Sequence, residues 1–190
     1  MTARWVVEEV KVPRDLSVTW NPISLLLKNQ PDEDSPYYEP LLKTYKMLRV
    51  MESVRATDGN EGVFALYWEL GTRIHQNQDH DFEISDVLAA AGLDPSHAAA
   101  FESEDFDDEI RKRHDAGLAL TGNDVGTPLI AMTGDDGVKR GIFGPVISQP
   151  LEGHVALELW DAMVTMMSTD GFWELKRTRT ESPNFKPIGA

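Results

Sequence analysis

The sequence predicts an α/β fold that carries an inserted helical subdomain. Three patterns predict it: a period-two alternation at Leu16, Val18 and Trp20, a strand with a hairpin partner over 128–143, and a block of helix-period segments between them. Residues 1–11 mix charged and apolar side chains and open as an amphipathic helix already under way at Met1. Leu16, Val18 and Trp20 then read as a strand. Residues 28–40 hold Pro31, Pro36 and Pro40 beside Asp32, Glu33 and Asp34, which is loop composition. Apolar residues at i, i+3, i+4 spacing predict helices over 41–55, 63–76 and 84–91, punctuated by Gly59, Gly62 and Gly92. Pro95 opens a short helix, and Ser103 or Asp105 caps a longer one that ends about Gly117 and breaks near Gly122. Residues 128–132 read as a strand, 133–137 as a tight turn and 138–143 as the returning strand. A last helix over 151–167 aligns Leu157, Trp160, Val164 and Met167. The tail from Phe172 onward has no periodic partner.

This order gives a three-stranded sheet whose first strand follows a helix. A complete βα unit would need its opening strand ahead of Met1.

Composition narrows the chemistry. The 190 residues hold 32 Asp+Glu against 18 Lys+Arg, a net charge of −14, which excludes a nucleic-acid binder. Hydrophobic residues make up 41%, enough for an ordinary core without metal or disulfide staples. Cysteine is absent, so these residues form no disulfide and supply no thiolate nucleophile or thiolate metal ligand. No apolar run approaches the roughly 18 residues of a spanning helix.

His75 and His80 lie five apart without a third organised ligand, so the pattern predicts a helix end and polar loop rather than a metal site. Nothing in the sequence favours Ser-His-Asp chemistry, and GxSxG, GxGxxG and P-loop motifs are missing. The acidic stretch 102–109 fits a solvated helix start. The basic stretch 175–180 reads as a surface segment that pairs with acidic groups, or as the seat of an anionic ligand. Asp124-Val125-Gly126-Thr127-Pro128 leads straight into a strand. It reads either as an ordinary strand entrance or as a cis-proline loop that turns the Thr127 backbone outward.

Several of these pieces occur in an order that resembles one family. They are Arg4-Trp5, Ser24-Leu25 with Asn29, Gly71-Thr72-Arg73-Ile74-His75, Arg111-Lys112-Arg113-His114, Asp124 to Pro128, Phe143-Gly144-Pro145-Val146, Leu159-Trp160-Asp161-Ala162 and Glu174 to Glu181. The chain resembles the DsbA-like thioredoxin-fold oxidoreductases, in particular the actinobacterial mycothiol-dependent nitroreductases. The resemblance implies a thioredoxin-like fold with parts at 1–27, 28–122 and 123–190, the middle one a helical insertion. It also implies that a first strand and a Cys-Pro-Trp-type motif precede Met1, so that the chain as it stands has no catalytic residue of its own and is inactive. A cis Pro128 would face the redox centre, with Gly126, Thr127, Asn29 and Tyr38 toward the substrate and His75 at the pocket edge. Mycothiol or another low-molecular-weight thiol is the implied co-substrate, with a disulfide or nitroaromatic as acceptor, no bound cofactor, a cytoplasmic location and a homodimer. Related alternatives are a hydroxychromene-carboxylate-isomerase or kappa-class transferase-like enzyme, and a non-catalytic thioredoxin-like scaffold.

Overall fold

A computed structural model describes residues 1–185. It divides into two compact units, one made of Met1–Val18 with the chain from Gly117 onward, the other of Thr19–Ala116.

In the first unit, helix α1 (Thr2–Trp5) continues as a π-helical stretch, Val6–Val10, closed by Lys11 N–H donating to the Val6 carbonyl at 2.7 Å. Strands β1 (Leu129–Thr133) and β2 (Lys139–Phe143) pair antiparallel, Leu129 opposite Phe143 and Thr133 opposite Lys139. Their turn is held by Asp136, whose carboxylate accepts from Val138 N–H at 3.0 Å and from the Arg140 guanidinium at 3.0 and 2.8 Å. That ring of donors holds the Asp136 carboxyl at a pKa of about 2. Helix α6 (Gly153–Ser168) completes the unit.

Its core joins Trp5, Val6 and Val10 to Ile147, Ala156, Trp160 and Met163. The buried row of α6 is therefore Ala156, Trp160 and Met163, rotated from the expected side, of which only Trp160 is buried. The Trp5 indole sets this rotation. It donates to the Ala156 carbonyl at 3.1 Å and tilts at 57° against Trp160 with centroids 5.7 Å apart, so the small Ala156 takes the closest approach. Such an aromatic pair adds about 0.5–1.5 kcal/mol beyond area burial.

The sheet among the described residues has two strands, not three. The predicted strand at 16–20 is unpaired because its backbone groups go elsewhere: Leu16 N–H to Lys11 O at 2.8 Å, Trp20 N–H to the Asn60 side chain at 2.8 Å, and Trp20 O to Arg55 at 2.6 Å. The period-two pattern was real, since Leu16 and Val18 pack on the first unit's core, but burial alone does not make a ladder.

In the second unit, Ser24 caps α2 (Leu25–Asn29) by accepting Leu27 N–H at 3.1 Å. The expected loop over 28–40 is shorter than predicted. Asn29 belongs to α2, and Pro40 sits in the first turn of α3 (Tyr38–Gly71), where a missing N–H leaves no bond unmade. Gly59 breaks α3 with φ 64° and ψ −151°, as its placement between two helical patterns predicted. Gly62, read as a second punctuation, is instead buried within the helix. A π-helical stretch Thr72–Gln76, α4 (Ile84–Ala90), 3-10 helices Pro95–Glu102 and Glu104–Phe106, and α5 (Asp107–Thr121) follow. Ser103 caps the short 3-10 turn, not α5. Helix α5 runs through Gly117 and stops at Gly122, whose φ of 85° permits the left-handed exit. Met47, Val50, Met51, Val54, Leu66, Leu70, Val87, Leu88 and Ala100 form this unit's core. Each large side chain there contributes about 1.5–3 kcal/mol of burial. No helix among the described residues is long and apolar enough to cross a membrane.

Candidate active site

The first unit carries a continuous patch around the strand entrance. Because Leu129 pairs with Phe143, the residues just beyond them face each other, and Gly144 N–H donates to the Pro128 carbonyl at 2.8 Å. The Thr127–Pro128 and Gly144–Pro145 peptide bonds are both cis. A side chain at Gly126 would place its Cβ 3.4 Å from the Phe143 ring. Thr2, buried at the start of α1, donates its hydroxyl to the Pro145 carbonyl at 2.7 Å. The start of α1 is thus tied through Pro145 and Gly144 to Pro128, with Thr127 exposed at the rim and Phe143 partly so. A helix start presents unpaired N–H groups and positive dipole charge, which favour a thiolate or another anion. Thr127 lies in an exposed bend just ahead of β1. The neighbouring cavity, lined by Met1, Trp5, Ile147, Pro150 and Leu151 among others, measures about 10 Å3, room for about one water.

Gly126, Thr127 and Pro128 lie together in the patch. Asn29, Tyr38 and His75 belong to the second unit. Asn29 is exposed at the end of α2, and Gln30 after it turns left-handed at φ 44°. Tyr38 is half-buried at the start of α3. His75 lies in the π-helical stretch. Its side chain is exposed, yet enough atoms crowd the imidazole that desolvation lowers its pKa. His75 and His80 join no group of three metal-ligating side chains among the described residues.

Several polar constellations escaped sequence reasoning. Glu52, with a side chain only 4% exposed, is shared by two arginines: Arg113 Nε lies 3.0 Å from each of its oxygens and Arg55 Nε 3.2 Å from one. The same arginines hold Trp20 O and the Asn21 side chain, at 2.6 and 3.4 Å. Trp20 then stacks on Phe64 and Tyr67. His114, buried on α5, has no hydrogen-bond partner at Nδ1 among the described residues, and burial lowers its pKa. A serine, a histidine and an aspartate do meet: Ser53 Oγ is 2.8 Å from His97 Nδ1, and Asp58 Oδ2 is 3.4 Å from His97 Nε2. Ser53 lies inside α3, where backbone N–H groups are committed to the helix and cannot form an oxyanion hole, so this cluster ties the Pro95–Glu102 helix to α3.

Comparison with known families bears on this arrangement. A sequence model of the Rv2466c-like family, described as mycothiol-dependent nitroreductase Rv2466c, matches residues 1–177. The chain belongs to the Rv2466c-like family. The match takes in the whole of Thr19–Ala116 and every residue of the patch. The family is one of oxidoreductases that depend on a low-molecular-weight thiol.

Proposed function

We propose that this chain is the body of a thioredoxin-like, mycothiol-dependent oxidoreductase that acts on a nitroaromatic or disulfide acceptor. The observation that carries the reading is the tie from Thr2 through Pro145 and Gly144 to Pro128. It puts a helix start and an exposed strand entrance on one surface, the arrangement that thiol exchange needs. Thr127 would present its backbone to the sulfur-bearing partner, and Gly126 and Pro128 would shape the rim. Two thiols of mycothiol would become one disulfide, releasing two electrons and two protons to the acceptor. These 190 residues contain no cysteine, so they cannot themselves hold the mixed disulfide. A homodimer in the reducing cytoplasm fits this chemistry.

The test compares two proteins with mycothiol and a nitroaromatic. The 190-residue chain should show no turnover above a heat-killed control. A form carrying a Cys-Pro pair directly ahead of Thr2 should turn over, and its Cys-to-Ser variant should not while melting at the same temperature. Thiol-dependent turnover by the cysteine-free chain would overturn the reading.

A further inference from the structure

We infer that the segment over 173–180 is an arm that docks the protein reversibly on an anionic lipid surface. The arm leaves α6 and returns to the first unit at fixed points. At its start Phe172 N–H donates to the Thr169 carbonyl at 3.2 Å. At its far end Asn184 N–H donates to the Ser148 carbonyl at 2.8 Å, the Gln149 side-chain amide to the Glu181 carboxylate at 2.8 Å, and Ser148 Oγ to the Glu181 carbonyl at 3.3 Å. Between these ends every residue is exposed, and none of 173–180 makes a hydrogen bond, an ion pair or a ring contact among the described residues. Trp173 is 88% and Leu175 76% exposed. Lys176, Arg177 and Arg179 follow at once, against Glu174 alone, so the arm carries a net +2 in a chain of −14.

Size and charge together favour a lipid surface over a protein one. A tryptophan buries about 150–250 Å2, and with one leucine beside it the arm stays well below the roughly 800 Å2 per partner of a stable protein–protein interface. A fluid bilayer asks for no matched surface. It takes an indole at the level of the headgroups, and the cations beside it meet the lipid phosphates. The backbone of the arm is bonded to solvent alone, so the docking depth is the wet headgroup region and not the hydrocarbon. The unit that bears the arm is also nearly neutral: Met1–Val18 with Gly117–Ala190 holds 12 Asp+Glu against 9 Lys+Arg, a net −3. Thr19–Ala116 carries the other −11, so most of the charge that an anionic membrane repels belongs to the unit without the arm. The inference goes beyond the oxidoreductase reading and uses none of its thiol chemistry.

The test titrates the full 190-residue protein with vesicles of phosphatidylglycerol mixed with phosphatidylcholine, and with phosphatidylcholine vesicles alone. Binding is read by co-sedimentation, and insertion by quenching of tryptophan fluorescence with brominated acyl chains. The native protein should bind the anionic vesicles about a hundredfold more tightly than the neutral ones, about fivefold for each of three cations, and the advantage should fade as salt rises. Lys176→Ala, Arg177→Ala and Arg179→Ala together should remove that advantage. Trp173→Ala with Leu175→Ala should weaken binding about tenfold or more and abolish the quenching, with an unchanged melting temperature because neither side chain is packed. Quenching in the native protein needs no variant, so the test does not hang on how the variants fold. The inference is overturned by a native protein that ignores anionic vesicles, by equal binding to both kinds of vesicle, or by binding that neither set of substitutions alters. Displacement from vesicles by inorganic phosphate at constant ionic strength would also overturn it and assign the cations to a free anion. So would a self-association in the absence of lipid that the Trp173 and Leu175 substitutions abolish, which would assign the arm to a protein contact. Vesicle binding is read without thiol turnover, so failure here and failure of the oxidoreductase reading are separable.

Discussion

Glu52 is the residue on which most of the second unit's polar order converges, because one buried carboxylate faces two guanidiniums that also grip Trp20 and Asn21. Replacing it by Gln leaves two partly buried cations uncompensated. We expect Glu52→Gln to destabilise the protein by about 3–5 kcal/mol, read as a lower urea midpoint. His114 gives a pH signature. Burial, the dominant cause, lowers its folded pKa below the ordinary 6.5, so the unfolded chain takes up a proton at a higher pH than the folded one. Its contribution is fully present above 6.5 and is lost as pH falls below that value. His75, lowered the same way, adds to the slope. Urea midpoints measured from about pH 8 to about pH 5 should fall, and His114→Phe should flatten part of that fall. At this scale the strand entrance at Asp124–Pro128 was legible because its signal is a run of adjacent residues. Thr2 and Glu52 were not, since the groups that define them lie 143 and 61 residues away.

Helix α3 shows how local patterns can be read correctly and joined wrongly. Two helical segments and the break at Gly59 were legible from periodicity and a glycine. Gly62 has a different reason to be glycine: a Cβ there would fall against Asp58 Cβ and within 2.8 Å of Val54 Cγ1, and Val54 is fully buried. Gly62→Ala should therefore cost about 1–3 kcal/mol by overpacking. Gly71, which has helical backbone angles and nothing within 4 Å of an added Cβ, is the control. Gly71→Ala should instead stabilise by about 0.5–1 kcal/mol, both changes being read from urea unfolding. Conversely, the alternation at Leu16, Val18 and Trp20 was a sound reading of exposure. It predicted the wrong element because a strand is defined by its neighbour, and the bonds that Trp20 N–H donates to Asn60 and Trp20 O accepts from Arg55 have no trace in the local pattern.

For the molecule as a whole, net charge and unit organisation dominate. A chain at −14 repels itself, so screening should raise its stability. Calorimetry at neutral pH should show the melting temperature rising by about 2–4 °C, equivalent to about 1 kcal/mol, as salt increases from about 0.02 to about 0.3 M. Salt that lowered the melting temperature would mean that ion pairs such as Arg49 with Asp107 outweigh the repulsion. Helix-rich α/β character was legible from the order of elements. The division at Val18 and Gly117 was not, since it falls inside an extended segment and inside α5. That division has a consequence for how the protein is made. The links from Thr2 to Pro145, Trp5 to Ala156, Glu9 to Gly153 and Arg14 to Asp161 span 143 to 151 residues. At a ribosome speed of about 5–20 residues per second, about 10–30 s pass between the emergence of Trp5 and that of its acceptor. Through that interval Thr19–Ala116 can close its own core, while Trp5, Val6 and Val10 stay uncovered. Those first turns are a chaperone's natural grip until the last helix has been synthesised.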